Sequence, residues 1–180
     1  MKKALMLTGN LVQDHEYIYP YYRLKEECFE VTTALKDAKP CVGILGTAIP
    51  SDRDAKIISY EDMRVEDYDI LVIPGGAKCM EKLRQKQGAL NFIKEFNDTG
   101  KVISSICHGA QLLISAKITE GRRISGYYSI KDDITNSGAE YIDAPFVTDE
   151  NLISCPHYKH LGDWMKETLR VFKEKNDTEN

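Results

Sequence analysis

The sequence has no apolar run approaching the roughly 18–20 residues that span a bilayer, and the apolar stretch after Met1-Lys2-Lys3 is too short for a signal peptide. Cysteines are too few and too irregularly placed for a disulfide framework. There are five, at 28, 41, 79, 107 and 155, and an odd number without repeating spacing reads as reduced thiols in a cytoplasmic protein. Basic charge is scarce as well: 24 Lys plus Arg against 28 Asp plus Glu leave a net charge of −4. The densest basic stretch, Gly121-Arg122-Arg123, is expected to be a solvated turn, which argues against a duplex nucleic-acid binder. Neither GxGxxG after the first strand nor GxxxxGK[ST] occurs, which argues against nucleotide binding. Glycine and proline together supply 18 of 180 residues, too few for a collagen-like or disordered chain when 42% of residues are apolar.

What is present is an alternation of buried strands and helices. Residues 3–8 form a short apolar run closed by Gly9-Asn10. Tyr17, Tyr21, Leu24 and Cys28 then recur at helical spacing, with charge on the other faces. Residues 30–35 and 42–45 are strand-like, 46–66 are irregular with a short strand near 56–59, and 69–73 are apolar without alternation, as in a parallel strand covered on both faces. A helix marked by Leu90, Phe92, Ile93 and Phe96 stops at Asn97-Asp98-Thr99-Gly100. A strand at 101–106, a helix at 109–116 and a last helix near 161–173 follow. The pattern predicts βαβ units in a three-layer α/β sandwich with a mostly parallel central sheet. One domain is expected over residues 1–175, with 176–180 a frayed tail.

In such a sheet, ligands bind beyond the carboxyl ends of the strands, where residues 10–16, 74–76 and 106–109 converge. Cys107 leaves a buried strand and opens a helix. The helix start is expected to lower its pKa, and Gly109 and Ala110 permit the sharp turn of a nucleophile elbow. Spacing alone leaves a buried structural thiol equally open. The N–H of His108, with one from Gly75 or Gly76, makes a candidate oxyanion pocket. Glu16 lies past strand one, before a helix expected to open at Tyr17. It is either a plain helix-start charge or a protonated carboxyl held against the Cys107 sulfur, ready to relay a proton. The ring of His108, adjacent to the cysteine, need not point back at it; Glu81 and Asp14 are candidate carboxylates to orient the ring. His157 and Tyr19 are possible pocket residues. Of the other thiols, Cys28 is placed on an apolar helix stripe, Cys41 before a strand and Cys79 in a loop near the site. Cys155, His157 and His160, with His15, lack paired-cysteine or HExxH zinc spacing, so no metal and no cofactor are expected.

The segment Ser105-Ile106-Cys107-His108-Gly109-Ala110-Gln111-Leu112-Leu113 resembles the nucleophile segment of the DJ-1/ThiJ/PfpI superfamily, in its PfpI-like branch. Asp14-His15-Glu16-Tyr17, Ile73-Pro74-Gly75-Gly76, Ile130-Lys131-Asp132-Asp133-Ile134-Thr135-Asn136-Ser137-Gly138 and the final Trp164-Met165 helix resemble that branch in order along nearly the whole chain. The resemblance implies a flavodoxin-like sandwich, with Cys107 as nucleophile and Glu16 as its hydrogen-bonding carboxyl. It also implies His108 paired with an acid from a neighbouring subunit, by position Glu81, in a functional homodimer or homohexamer. The activities it implies are glyoxalase III- or deglycase-type chemistry on small reactive carbonyls or early glycation adducts. Intracellular cysteine peptidase activity and a non-enzymatic redox-sensing or chaperone-like stress role are its alternatives. The sequence departs from the pattern in the length of the stretch before Glu81, in Gln13, where some peptidase-labelled relatives carry an acid, and in Cys155-Pro156-His157, where Ser-Arg is usual. His157 is followed by Tyr158-Lys159 rather than the x-Glu of a class I glutamine amidotransferase.

Overall fold

The computed structural model describes residues 1–177. In chain order its elements are β1 (Lys3–Leu7), α1 (Asp14–Glu26), β2 (Glu30–Ala34), β3 (Cys41–Val42), β4 (Ala48–Ile49), β5 (Lys56–Ile58), β6 (Ile70–Ile73), α2 (Ala77–Leu83) and α3 (Gln87–Asp98). These are followed by β7 (Val102–Ile106), α4 (Ala110–Ser115), β8 (Arg123–Ile124), α5 (Lys131–Asn136), β9 (Glu140–Tyr141), β10 (Val147–Asp149), β11 (Leu152–Cys155) and α6 (Leu161–Asp177).

Seven strands form one sheet in the order β10-β11-β7-β6-β1-β2-β5. All neighbours are parallel except the edge pair β10–β11. The unalternating run at β6 explains its place: Ile70, Leu71, Val72 and Ile73 are all fully buried, and each such side chain contributes about 1.5–3 kcal/mol of apolar burial. Helices α1 and α6 pack together on one side, α6 against β7 and β11, while α2 to α5 cluster on the other. This is the α/β sandwich the alternation predicts. Strand order reverses between β1 and β6, the switch point beside which a doubly wound sheet opens a crevice.

Several elements differ from expectation. Helix α1 opens at Asp14, capped by the Gln13 side chain, which accepts the Glu16 N–H at 3.1 Å. Cys28 is not on its apolar stripe: the helix ends at Glu26, and Cys28 is exposed with φ +63°. The run at 42–45 does not form a buried strand. Its first residue pairs in the small β3–β4 hairpin, and Ile44 and Leu45 lie exposed in the turn between the two strands. Arg122 is not merely solvated, because its guanidinium holds Asp149 Oδ2 at 2.9 Å, the Asp149 carbonyl at 2.7 Å and Asn151 Oδ1 at 3.1 Å. Helix α6 runs to Asp177, so Asn176 and Asp177 are helical rather than frayed. The rest of the expected tail, 178–180, lies outside the described residues.

Candidate active site

Three adjacent strands bring the site together. β1 leads into the first turn of α1, which carries Glu16; β6 ends in Pro74-Gly75-Gly76; β7 ends at Cys107. Cys107 opens a tight turn over Cys107–Gly109 before α4, with φ +59°. A non-glycine residue in that region costs on the order of 1–3 kcal/mol and persists only where its surroundings enforce it. Here the Cys107 carbonyl accepts the Tyr127 N–H at 3.2 Å. A Cβ at Gly109 would stand 2.8 Å from the Ile73 carbonyl, so the turn closes only with glycine there.

Cys107 is 6% exposed. Backbone N–H groups of His108 and Gly76 act on the sulfur in the direction that favours thiolate. His108 Nδ1 lies 3.4 Å from Sγ, so the ring does turn back toward the neighbouring residue. It stacks on Tyr127 with centroids 4.7 Å apart, and burial lowers its pKa, leaving a neutral ring at neutral pH.

Glu16 is fully buried. Its Oε2 accepts the Gly75 N–H at 2.8 Å. Among the described residues Oε1 has no partner of hydrogen-bonding geometry, and the remaining polar group acting on the carboxyl is the Cys107 thiol. Burial pushes the Glu16 pKa up to about 8, against the smaller lowering effects of Cys107 and Gly75. The carboxyl is therefore protonated at neutral pH, and with an N–H already on Oε2 the proton belongs on Oε1. A Cβ on Gly75 would strike Glu16 Oε2 and come within 2.9 Å of the Cys107 Cβ. The approach of the two side chains thus requires glycine at that position.

The expected lowering of the Cys107 pKa is overturned. Burial, and then the Glu16 charge, push the thiol well up, outweighing the two backbone N–H groups. Helix α4 has six residues and begins beyond the turn, too short and too distant a dipole to overcome desolvation. Because a protonated Glu16 carries no charge, its repulsion of a thiolate vanishes while it holds its proton; the two groups titrate as a pair.

The structure does not bring every expected residue to the sulfur. The Gly75 N–H is taken by Glu16, so of the glycine pair only Gly76 presents its N–H to Cys107. Asp14 does not orient His108; its carboxylate accepts the N–H groups of Leu45 at 2.8 Å and Thr47 at 3.0 Å. Glu81 is exposed on α2 and bonded to Lys78 at 3.1 Å. Among the described residues no acid is hydrogen-bonded to the His108 ring. Tyr19 instead lines a groove of about 600 Å³ with His15, Ile18, Tyr22, Arg23 and Leu161, a groove that neither Glu16 nor Cys107 lines. Cys79 is buried in α2, its sulfur 3.9 Å from Thr8 Oγ1. His157 lies in an aromatic ladder, 6.1 Å from the Tyr127 ring, 6.3 Å from Tyr128 and 4.0 Å from Tyr158. Among the described residues no three His, Cys, Asp or Glu side chains converge as metal ligands. Sequence reasoning missed Tyr127. Its only signal was its position in a tyrosine-rich stretch, which does not tell a wall of the site from an ordinary half-buried ring.

A cysteine at a strand-to-helix elbow, beside a switch point and against a buried carboxyl, defines a cysteine-elbow protein of the flavodoxin-like α/β class. The chain belongs to the DJ-1/PfpI family, whose model matches residues 2–171. It is 40% identical over 171 residues to an uncharacterized protein of Archaeoglobus fulgidus, covering 95% of this chain and 98% of that one. It is 38% identical to a deglycase of Pyrococcus horikoshii, covering 95% and 99%. A two-domain Anabaena variabilis protein with DJ-1/ThiJ/PfpI-like and ferritin-like domains superposes with TM-score 0.87 at 29% identity. That match covers 94% of this chain and 48% of the larger one.

Proposed function

We propose that the chain is a cysteine enzyme of glyoxalase III or deglycase type, acting on small reactive carbonyls or early glycation adducts through Cys107. The observation that carries this reading is the fully buried Glu16 carboxyl, held by the Gly75 N–H beside the Cys107 thiol, where burial favours its neutral form. Full-length similarity to deglycases of Pyrococcus horikoshii and Pyrococcus furiosus, at 38% and 36% identity, supports it.

With methylglyoxal, Sγ attacks the aldehyde carbon and the thiol proton is relayed through Glu16 to the aldehyde oxygen, giving a hemithioacetal. The N–H groups of His108 and Gly76 steady the oxygen as charge develops. The hydrogen on the former aldehyde carbon then moves to the ketone carbon by way of an enediol, Oε1 of Glu16 giving and retaking protons. The product is a thioester of lactate, and water cleaves it to lactate and free thiol. A neutral carboxyl suits this shuttle because it supplies a proton without placing a second negative charge beside the sulfur.

The absence of an acid at His108 among the described residues supports a homo-oligomer, dimer or hexamer, in which Glu81 of a neighbouring copy reaches the ring. Five free thiols support a reducing, cytoplasmic setting. The test is lactate formation from methylglyoxal by wild type and by Cys107→Ala. Loss of turnover in the variant is expected, and equal rates contradict the proposal. Cys107-dependent peptide cleavage without lactate would assign a peptidase instead.

A further inference from the structure

The carbonyl chemistry uses one thiol, yet a second stands beside it. β11 runs parallel to β7 in a register that sets Cys155 opposite Ile106, the residue before Cys107. Registered partners in adjacent strands are about 4.8 Å apart. Carrying a strand rise of about 3.3 Å one residue beyond Ile106 gives a Cys107–Cys155 Cα separation of roughly 6 Å, within the span a disulfide bridges.

Cys155 projects to the side of the sheet from which Glu16 reaches Cys107. Registered residues of a parallel pair project to one face, so Cys155 shares the face of Ile106 and Ser104. Ser104 Oγ bonds Thr168 of α6 at 2.7 Å, which identifies that face as the α1–α6 side, the side from which Glu16 enters. The Cys155 thiol is fully buried and donates to the His157 carbonyl at 3.5 Å. The Glu16 charge acts on both Cys107 and Cys155. Both thiols thus lie within reach of the Glu16 charge. The other thiols are placed elsewhere: Cys79 against Thr8, Cys28 beyond the end of α1, and Cys41 in the β3–β4 hairpin.

We propose that Cys155 is a resolving thiol for Cys107, so that oxidation by a hydroperoxide closes an intrachain Cys107–Cys155 disulfide. In the first step the Cys107 sulfur attacks the peroxide oxygen, the S–O bond forms as the O–O bond breaks, and the thiol proton leaves on the departing oxygen. The sulfur becomes a sulfenic acid, and the peroxide is reduced to an alcohol or water. In the second step the Cys155 sulfur attacks the sulfenic sulfur; the S–S bond forms, the S–O bond breaks, and the hydroxyl leaves as water with the Cys155 proton. An external dithiol returns both thiols. The bridge withholds the nucleophile from carbonyl substrates and diverts it from irreversible sulfinic acid. This inference rests on Cys107 being the reactive thiol of the proposed function.

The full-length protein is treated with a molar excess of hydrogen peroxide, enough to supply the second oxygen of a sulfinic acid, its free thiols are alkylated after denaturation, and tryptic peptides are mapped without reductant. The expected product links peptide 102–117 to peptide 132–159 with loss of two hydrogens. Turnover falls in proportion to the linked fraction and returns with dithiothreitol. In Cys155→Ser, or Cys155→Ala should the serine variant not fold, peptide 102–117 instead gains two oxygens and dithiothreitol does not restore turnover. The same sulfinic acid in wild type, without a link, overturns the resolving role and leaves Cys107 as the reactive thiol. An unmodified Cys107 while other cysteines oxidise overturns both readings.

Discussion

Two buried carboxyl groups stand two residues apart in the first turn of α1, and their environments drive them in opposite directions. Asp14, 2% exposed, is surrounded by donors. Burial raises its pKa, but the Leu45 N–H and the Thr47 hydroxyl and N–H together bring it below the usual carboxylate value. Glu16 has a single N–H and an unpartnered Oε1, and burial pushes it up to about 8. Both residues share the helix terminus, and among the described residues neither has a cationic partner. The number of donors separates a structural anion, which anchors the 43–47 turn, from a neutral acid available to the Cys107 sulfur.

Removing the sulfur gives the largest expected effect. Cys107→Ala lowers lactate formation by at least about 10³-fold, while far-ultraviolet circular dichroism stays that of wild type. Glu16→Gln keeps the shape and the Gly75 contact but removes the transferable proton. A loss of about 10²-fold in kcat is expected. A loss of only a few-fold would break the comparison, since Glu16 would then be as structural as Asp14.

Asp14→Asn tests the other half. Replacing charged acceptors for two backbone N–H groups costs about 2 kcal/mol in urea unfolding, while kcat per folded molecule stays within about threefold of wild type, the change belonging to stability rather than to the transition state.

The last expected effect is a difference in pH dependence. Asp14 has a lowered pKa in the fold, so its contribution is present above its ordinary 3.8 and is lost as pH falls through the folded value. Glu16 has a raised pKa, so the fold holds a proton that the unfolded chain has released. Its contribution to stability falls by about 1.4 kcal/mol per unit as pH rises from 4.5 toward about 8. Wild type and Glu16→Gln are therefore expected to converge in stability at acid pH and to diverge steadily as pH rises toward about 8, which urea titrations between pH 5 and about 8 would measure.

The parallel sheet was legible because β6 is apolar on both faces and the strands alternate with amphipathic helices. The elbow was legible because a cysteine closes a buried strand with Gly109 and Ala110 close behind it, whereas the position of Glu16 after β1 left a plain helix-start charge equally open and only the family resemblance implied a carboxyl on the sulfur. Other features depend on the folded environment. Ile44 and Leu45 look like core but lie in an exposed turn. Helix α2 follows two glycines and has no clear periodicity over its short length. The direction of the Cys107 pKa depends on how deeply the sulfur is buried and how short α4 is, and neither shows in local spacing. The division of labour between Asp14 and Glu16 depends on donors from residues 45, 47 and 75, all distant in sequence.

The most direct test of the central claim is a ¹³C titration of the protein labelled at the glutamate side-chain carboxyl, with Glu16→Gln identifying the Glu16 signal. A midpoint near 8 is expected, with the carboxyl neutral at pH 7. A midpoint near the ordinary 4.5 would place a second anion against the Cys107 sulfur at neutral pH and contradict the shuttle.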